Sequence, residues 1–139
     1  MLFQCRIGNS INELPSILDG LEATGLDQAW DPIFQMQLTL VVEELVVNAI
    51  NYGGRLAGQG WAEVRVESAD GGVCITIEDN GLAFDPFSAA EPDTELDLDS
   101  RSIGGLGVHF VREMTDNHSY ERSGEINRVV LFKRFSSVG

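Results

Sequence analysis

The sequence predicts an α+β domain, a two-layer sandwich with helices packed on one face of a mixed, largely antiparallel sheet. Three observations carry this. The apolar pattern runs strand, helix, helix, two strands, loop, helix, two strands. Trp61 to Ser68 alternates apolar and polar side chains, as a half-buried strand does. The stretch from Pro32 to Gly53 carries apolar residues on every side, which predicts a helix buried all round. A chain of 139 residues suits one domain with one core, and 43 % hydrophobic content is ordinary for a globular protein.

Leu2 to Ile7 reads as the first strand. Asn9 or Ser10 can cap a helix that runs to about Ala23, with Glu13 in its first turn and Gly25 ending it. Pro32 suits the first turn of the long helix, and Gly53-Gly54 stops it. Asp70-Gly71-Gly72 predicts a hairpin turn between Trp61–Ser68 and a partner strand from Val73 to Glu78. Residues 80–103 show little periodicity and carry acids at alternate positions (Glu91, Asp93, Glu95, Asp97, Asp99); a loop this long is usually functional or disordered. Gly104-Gly105-Leu106-Gly107 leads into a helix from about Val108 to Met114. Strands near His118 to Glu121 and Ile126 to Phe132 close the chain.

The formal net charge is −13, which disfavours nucleic acid or anionic lipid as a partner and suits a basic protein. Lys133 is the only lysine, so any phosphate site must rely on arginine, metal or backbone amides. No run approaches the roughly 18 apolar residues of a membrane span, and the N-terminus lacks the pattern of a signal peptide. A soluble cytoplasmic protein is the expectation. Cys5 and Cys74 fall in separate strands and read as small core residues.

Three polar features stand out. In the long helix, Gln37, Glu44, Asn48 and Asn51 fall within about 60° of one another at 100° per residue. A carboxylate there must be paired, protonated or used, and an amide oxygen beside it suits magnesium. Glu43 points about 100° away, toward surface or partner. Next, Asp79-Asn80-Gly81 leaves the end of a strand, where a carboxylate can accept from an exocyclic amine and glycine admits a flat ring. Last, Gly104 to Gly107 opens a helix, where amides and dipole favour an anion. Read singly, these are equally a satisfied hydrogen-bond pair, an Asn-Gly turn and a glycine turn. No Gly-Lys-Ser/Thr is present, so a P-loop is excluded, and the glycine spacing does not fit the dinucleotide fingerprint.

In this order the three resemble the Bergerat-fold, histidine-kinase-like ATPase superfamily shared by gyrase, the MutL proteins and histidine kinases. The chain is most similar to the short bacterial anti-sigma factor serine kinases of the stress and sporulation type. Glu44-Leu-Val-Val-Asn48-Ala-Ile-Asn-Tyr-Gly53 resembles the N box, Asp79-Asn-Gly81-Leu-Ala-Phe-Asp-Pro86 the first glycine box, and Gly105-Leu-Gly107 with its helix to Asp116 the second. Tyr52-Gly53 stands where a His-Gly or His-Ala pair is common, and Asn127-Arg128 where a threonine is often seen.

The resemblance implies one such domain over residues 1–139, with an ATP lid at about 82–103. It implies ATP and Mg2+ as cofactors and phosphorylation of a STAS-type anti-sigma factor antagonist by a kinase that also sequesters a sigma factor as a homodimer. Glu44 would be the general base and Asn48 the metal ligand. Asp79 would accept from adenine beside Gly81. Asn51, Ala83, Gly104, Gly105, Leu106 and Gly107 would line the nucleotide or its phosphates, and Arg101 would neutralise transferred charge. Two alternatives stay open: a non-catalytic ATP-binding switch that controls a protein partner, and a histidine kinase core, although no dimerisation helix precedes residue 31.

Overall fold

The computed structural model describes residues 1–52, 59–88 and 105–135. Strand β1 spans Phe3–Gly8, helix α1 Leu14–Gln28, helix α2 Pro32–Tyr52, β2 Trp61–Ala69, β3 Gly72–Asp79, helix α3 Gly105–Met114, β4 Asn117–Ser123 and β5 Ile126–Arg134. The strands form one sheet in the order β1-β2-β3-β5-β4, and all four pairings are antiparallel. The expected two-layer α+β class is therefore found, with the sheet antiparallel throughout its described pairings where a mixed one was expected. Its expected stop at Gly53-Gly54, most of the acidic loop, Arg101 and Gly104 lie outside the described residues.

Alternation in the strands builds the core. Ile7, Val64, Val66, Ile75, Ile77, Val129 and Leu131 all point to the helix side and are buried. Against them lie Ile17 and Leu21 of α1 and Leu38, Val42 and Val46 of α2. Asp31 caps α2, its Oδ2 accepting from the N–H groups of Ile33 (3.0 Å) and Phe34 (3.4 Å), with Pro32 in the first turn.

Three expectations about the helices need correction. Gly25 does not end α1. The helix runs on to Gln28 and closes at Ala29, whose φ of 56° is left-handed, with Trp30 N–H reaching back to Gly25 O at 2.9 Å. Gly25 is instead a contact point: a Cβ there would sit 1.4 Å from Gln35 Oε1 of α2. Secondly, α2 is not buried all round. In a two-layer fold only one side of a helix meets the sheet, and Ile33 (61 % exposed), Met36 (53 %) and Leu40 (45 %) face outward. By length and composition α2 would also pass for a membrane span, contrary to the expectation that no run is long enough; its buried face is occupied by the core. Thirdly, α3 begins at Gly105, so the glycines form its first turn rather than a loop before it.

The opposite face of the sheet carries a row of charges. In register, Arg6 lies beside Glu63, Glu63 beside Glu78, Glu78 beside Arg128, and Arg128 beside Glu121. Arg65 resolves the one like-charge pair in this row by donating to both Glu63 and Glu78 at 2.6 Å. Arg6 adds a contact to Glu63 at 3.2 Å, and Arg128 one to Glu78 at 2.7 Å and another to Glu121. Burial pushes the Glu63 and Glu78 carboxyls up, but their guanidinium partners more than reverse it and hold both below the ordinary range. Cys5 and Cys74 are free thiols on strands separated by β2, Cys5 on the helix side and Cys74 on this outer face.

Carboxyls held low contribute stability above their unfolded pKa and lose it as pH falls through the folded value. Arg65→Met is expected to destabilise the domain by about 1–3 kcal/mol at neutral pH, because Glu63 and Glu78 then face each other without the guanidinium that bridges them and keep only Arg6 and Arg128 as partners. The deficit relative to the parent should shrink below about pH 4 as both protonate, measured by urea unfolding across the acid range.

Candidate functional site

A narrow cleft opens at one end of the helix–sheet interface. Leu45, Asn48, Ala49 and Tyr52 of α2 form one wall. Ile77 and Asp79 of β3, and Asn127 and Val129 of β5, form the floor, and Leu82, Phe84 and Pro86 close the third side. Tyr52 stacks on Phe84 with ring centroids 4.7 Å apart and planes at 18°. Mostly apolar walls with a few convergent polar groups suit a flat aromatic ligand.

Asp79 is the last residue of β3, where the inward alternation puts its side chain under α2 rather than in solvent. Its Oδ1 accepts from Gly81 N–H at 2.8 Å and from Asn127 Nδ2 at 2.9 Å. Oδ2 has no hydrogen bond among the described residues. Burial raises the Asp79 pKa, opposed by Asn127, the Gly81 amide and the Arg122 charge. Arg122 also pins the turn, donating to Gly81 O at 2.7 Å. Gly81 is buried and lines a smaller recess with Asn9, Ala49, Gly60, Trp61, Asp79 and Asn80.

Asn48 is 2 % exposed, and neither its Oδ1 nor its Nδ2 finds a hydrogen-bond partner among the described residues. An orphaned buried amide costs about 1–3 kcal/mol, which a ligand entering the cleft can recover. Glu44, one turn earlier, lies in a separate groove between α2 and α3 with Leu40, Val41, Phe110, Val111 and Met114. Its pKa is raised by burial and by the Glu43 charge; the Asn48 amide is near enough to offset this in part without meeting hydrogen-bond geometry. The predicted stripe is thus divided among four environments: Glu44 in the groove, Asn48 in the cleft, Asn51 exposed and Gln37 on Lys133. Gln37 instead accepts from Lys133 Nζ at 2.7 Å, and that ammonium also binds Met114 O at 2.7 Å at the end of α3.

The structure brings Asn48 and Asp79 to one cleft, with Gly81 adjoining through Asp79. Asn51 and Ala83 are exposed and do not line it. Gly105, Leu106 and Gly107 form the first turn of α3, where helix geometry leaves N–H groups without intrahelical partners. Arg101 and Gly104 fall outside the described residues. Asn127, Tyr52 and Arg122 were not assigned to the site from sequence. Asn127 could have been found from its position, two residues ahead of the apolar Val129 in the inward register of β5; Arg122 sits 41 residues from the turn it holds, and no local pattern signals that contact.

No group of three or more His, Cys, Asp or Glu residues that could hold a metal occurs among the described residues. The donor available is a single amide oxygen, Asn48 Oδ1. This fits Mg2+, which commonly takes few protein ligands and completes its shell with phosphate and water.

Asp79→Asn is expected to abolish binding to this cleft by a ligand amine. The new amide can keep its oxygen toward Gly81 and Asn127 and would then turn N–H groups toward the cleft. A carboxyl with a raised pKa costs stability once pH exceeds that value, so at pH about 7 the variant should melt no lower than the parent. Calorimetric titration and thermal unfolding of the same samples check both halves.

The profile of the histidine kinase-like ATPase domain matches residues 12–133. The serine/threonine-protein kinase BtrW of Bordetella bronchiseptica is 27 % identical over 111 residues, covering 80 % of this chain and 78 % of that protein. In structure, the RsbU and RsbW domains of Rv1364c from Mycobacterium tuberculosis superpose with a TM-score of 0.64 and 13 % identity over 95 % of this chain. This chain spans about a third (32 %) of that polypeptide. The histidine kinase domain of the blue-light activated kinase EL346 from Erythrobacter litoralis gives a TM-score of 0.50 at 20 % identity, over 73 % of this chain and 45 % of that one. At such identities the structural likenesses establish the fold. Family profile and fold agree, and the chain belongs to the histidine kinase-like ATPase domain family.

Proposed function

We propose that this protein is an ATP- and Mg2+-dependent serine kinase of the anti-sigma factor type, whose phosphoacceptor is a STAS-type antagonist protein. The observation that carries the reading is the buried Asn48 amide, without a hydrogen-bond partner among the described residues, beside a cleft that also holds Asp79. A relative named as a serine/threonine-protein kinase supports the choice of acceptor residue.

In this reading the adenine ring enters between Tyr52 and Leu82, and Asp79 Oδ2 accepts from its exocyclic amine. Gly81 leaves room for the ring. Asn48 Oδ1 would hold a magnesium ion, and that ion would supply charge neutralisation at the phosphate oxygens. The first-turn amides of α3, at Gly105, Leu106 and Gly107, with Gly104 before them, receive phosphate. Arg101 adds positive charge during transfer. Glu44 takes the proton from the attacking serine hydroxyl as the new O–P bond forms and the bond to the bridging oxygen of ADP breaks. A raised carboxyl pKa makes a stronger base.

Sequestration of a sigma factor, a homodimeric assembly and a cytoplasmic location belong to the same proposal. The outward apolar residues Ile33, Met36 and Leu40 on α2 and Phe110 on α3 favour a protein partner over a free monomer surface. One observation favours a second reading, an ATP-binding switch without transfer: Glu44 lines the α2–α3 groove and not the cleft itself.

Incubation with labelled ATP, Mg2+ and a STAS-type partner decides between them. The kinase reading expects phosphoserine on the partner, reduced about 10²–10⁴-fold by Glu44→Ala while ATP still binds. Transfer should fall as pH drops through a value above the ordinary glutamate pKa of about 4.3, since the base must be ionised. Binding of ATP with no transfer to any serine would establish the switch.

A further inference from the structure

Asn127 faces Asp79 across the β3–β5 register and is 3 % exposed. Its amide is saturated. Nδ2 donates to Asp79 Oδ1 at 2.9 Å and to Leu82 O at 2.8 Å. Oδ1 accepts from the Tyr120 hydroxyl at 2.6 Å and from Phe84 N–H at 3.3 Å. The partners allow one orientation only, because a flipped amide would set its oxygen against two acceptors and its N–H groups against the Phe84 amide. Both protons and both lone pairs are committed, so Asn127 has nothing left with which to contact a ligand directly.

We infer that Asn127 is a positioning residue that sets base selectivity through Asp79. It occupies Oδ1, so that one carboxylate oxygen alone serves the cleft, and it holds the Leu82–Phe84 backbone against the same space. This rests on the nucleotide reading above. A single free acceptor pairs with a purine that carries an amine at that edge. A 6-oxo purine brings an acceptor to the same place, and two acceptors are left facing each other. Were the carboxylate free to turn, its two oxygens could together take the adjacent ring N–H and amine of guanine. Asn127 blocks that arrangement, and Tyr120 holds Asn127 from behind.

The test is titration calorimetry of the parent, Asn127→Ala, Asn127→Asp and Tyr120→Phe with ATP and with GTP, from about pH 5 to about pH 8. Asn127→Ala should weaken ATP binding about ten-fold or more and narrow the preference for ATP over GTP. Tyr120→Phe keeps the ring and should show the same change to a smaller degree, which covers the case in which the alanine variant does not fold. In the parent, ATP binding should rise with pH as Asp79 ionises. In Asn127→Asp two adjacent carboxyls must share a proton, so binding should fall as pH rises. The other ionisable groups facing this pair are Tyr120 and Arg122, the latter held on Gly81 O. A role confined to stability would not reverse the pH dependence. Parent-like nucleotide ratios and pH profiles in all three variants would overturn the inference. Failure of the parent to bind ATP at any pH would overturn the nucleotide reading itself, a separate result.

Discussion

Everything at the site depends on one packing arrangement, the burial of α2 against the inward face of the antiparallel sheet. Leu38, Val42 and Val46 are fully covered there by Val64, Val66, Ile75 and Leu131. Apolar contact of this kind fixes both the rotation of the helix and its height over the strands. Once Leu45 and Val46 are seated, Asn48 has no choice but to face the end of β3. Asp79 is held there by the same alternation that buries Ile75 and Ile77. The cleft is the place where this interface runs out of apolar side chains before it runs out of backbone.

The two faces of the sheet treat the same functional group in opposite ways. On the outer face, Glu63 and Glu78 are covered but lie among Arg6, Arg65 and Arg128, and their carboxyls are held low. On the inner side, Asp79 and Glu44 are partly covered with no guanidinium in hydrogen-bond contact among the described residues, and burial holds them high. The outer row is thus an internally neutralised support. The inner carboxyls retain unused bonding capacity, which is the physical condition for binding or proton transfer.

Lys133 links the site's supports from the far end. Its ammonium joins Gln37 of α2 to the last carbonyl of α3 and lies 5.4 Å from the Phe34 ring. Burial lowers its pKa, with Asp116 opposing. A single cation therefore ties together the two helices that bear the N-box and second glycine-box residues.

By itself the sequence determined which elements exist, because alternation in Trp61–Ser68 and apolar continuity in the long helix are local signals. It also singled out Asn48, Asp79 and Gly81 as candidate residues, whose types and order need no coordinates. Local patterns failed where a long-range contact overrode them. Gly25 resembles a helix stop, but α1 continues through it because Gln35 of α2 fills the space a side chain would need. The apolar periphery of α2 resembles core, yet two layers leave Ile33, Met36 and Leu40 outside. The polar stripe was legible as a stripe, but only tertiary structure separated Glu44 in its groove, Asn48 in the cleft and Gln37 on Lys133. Tertiary structure alone also placed Asn127 on Asp79 and Arg122 on the Gly81 turn. Each of those contacts joins residues more than 40 positions apart, and hydrogen bonds across such distances are decided by how strands register and not by sequence spacing.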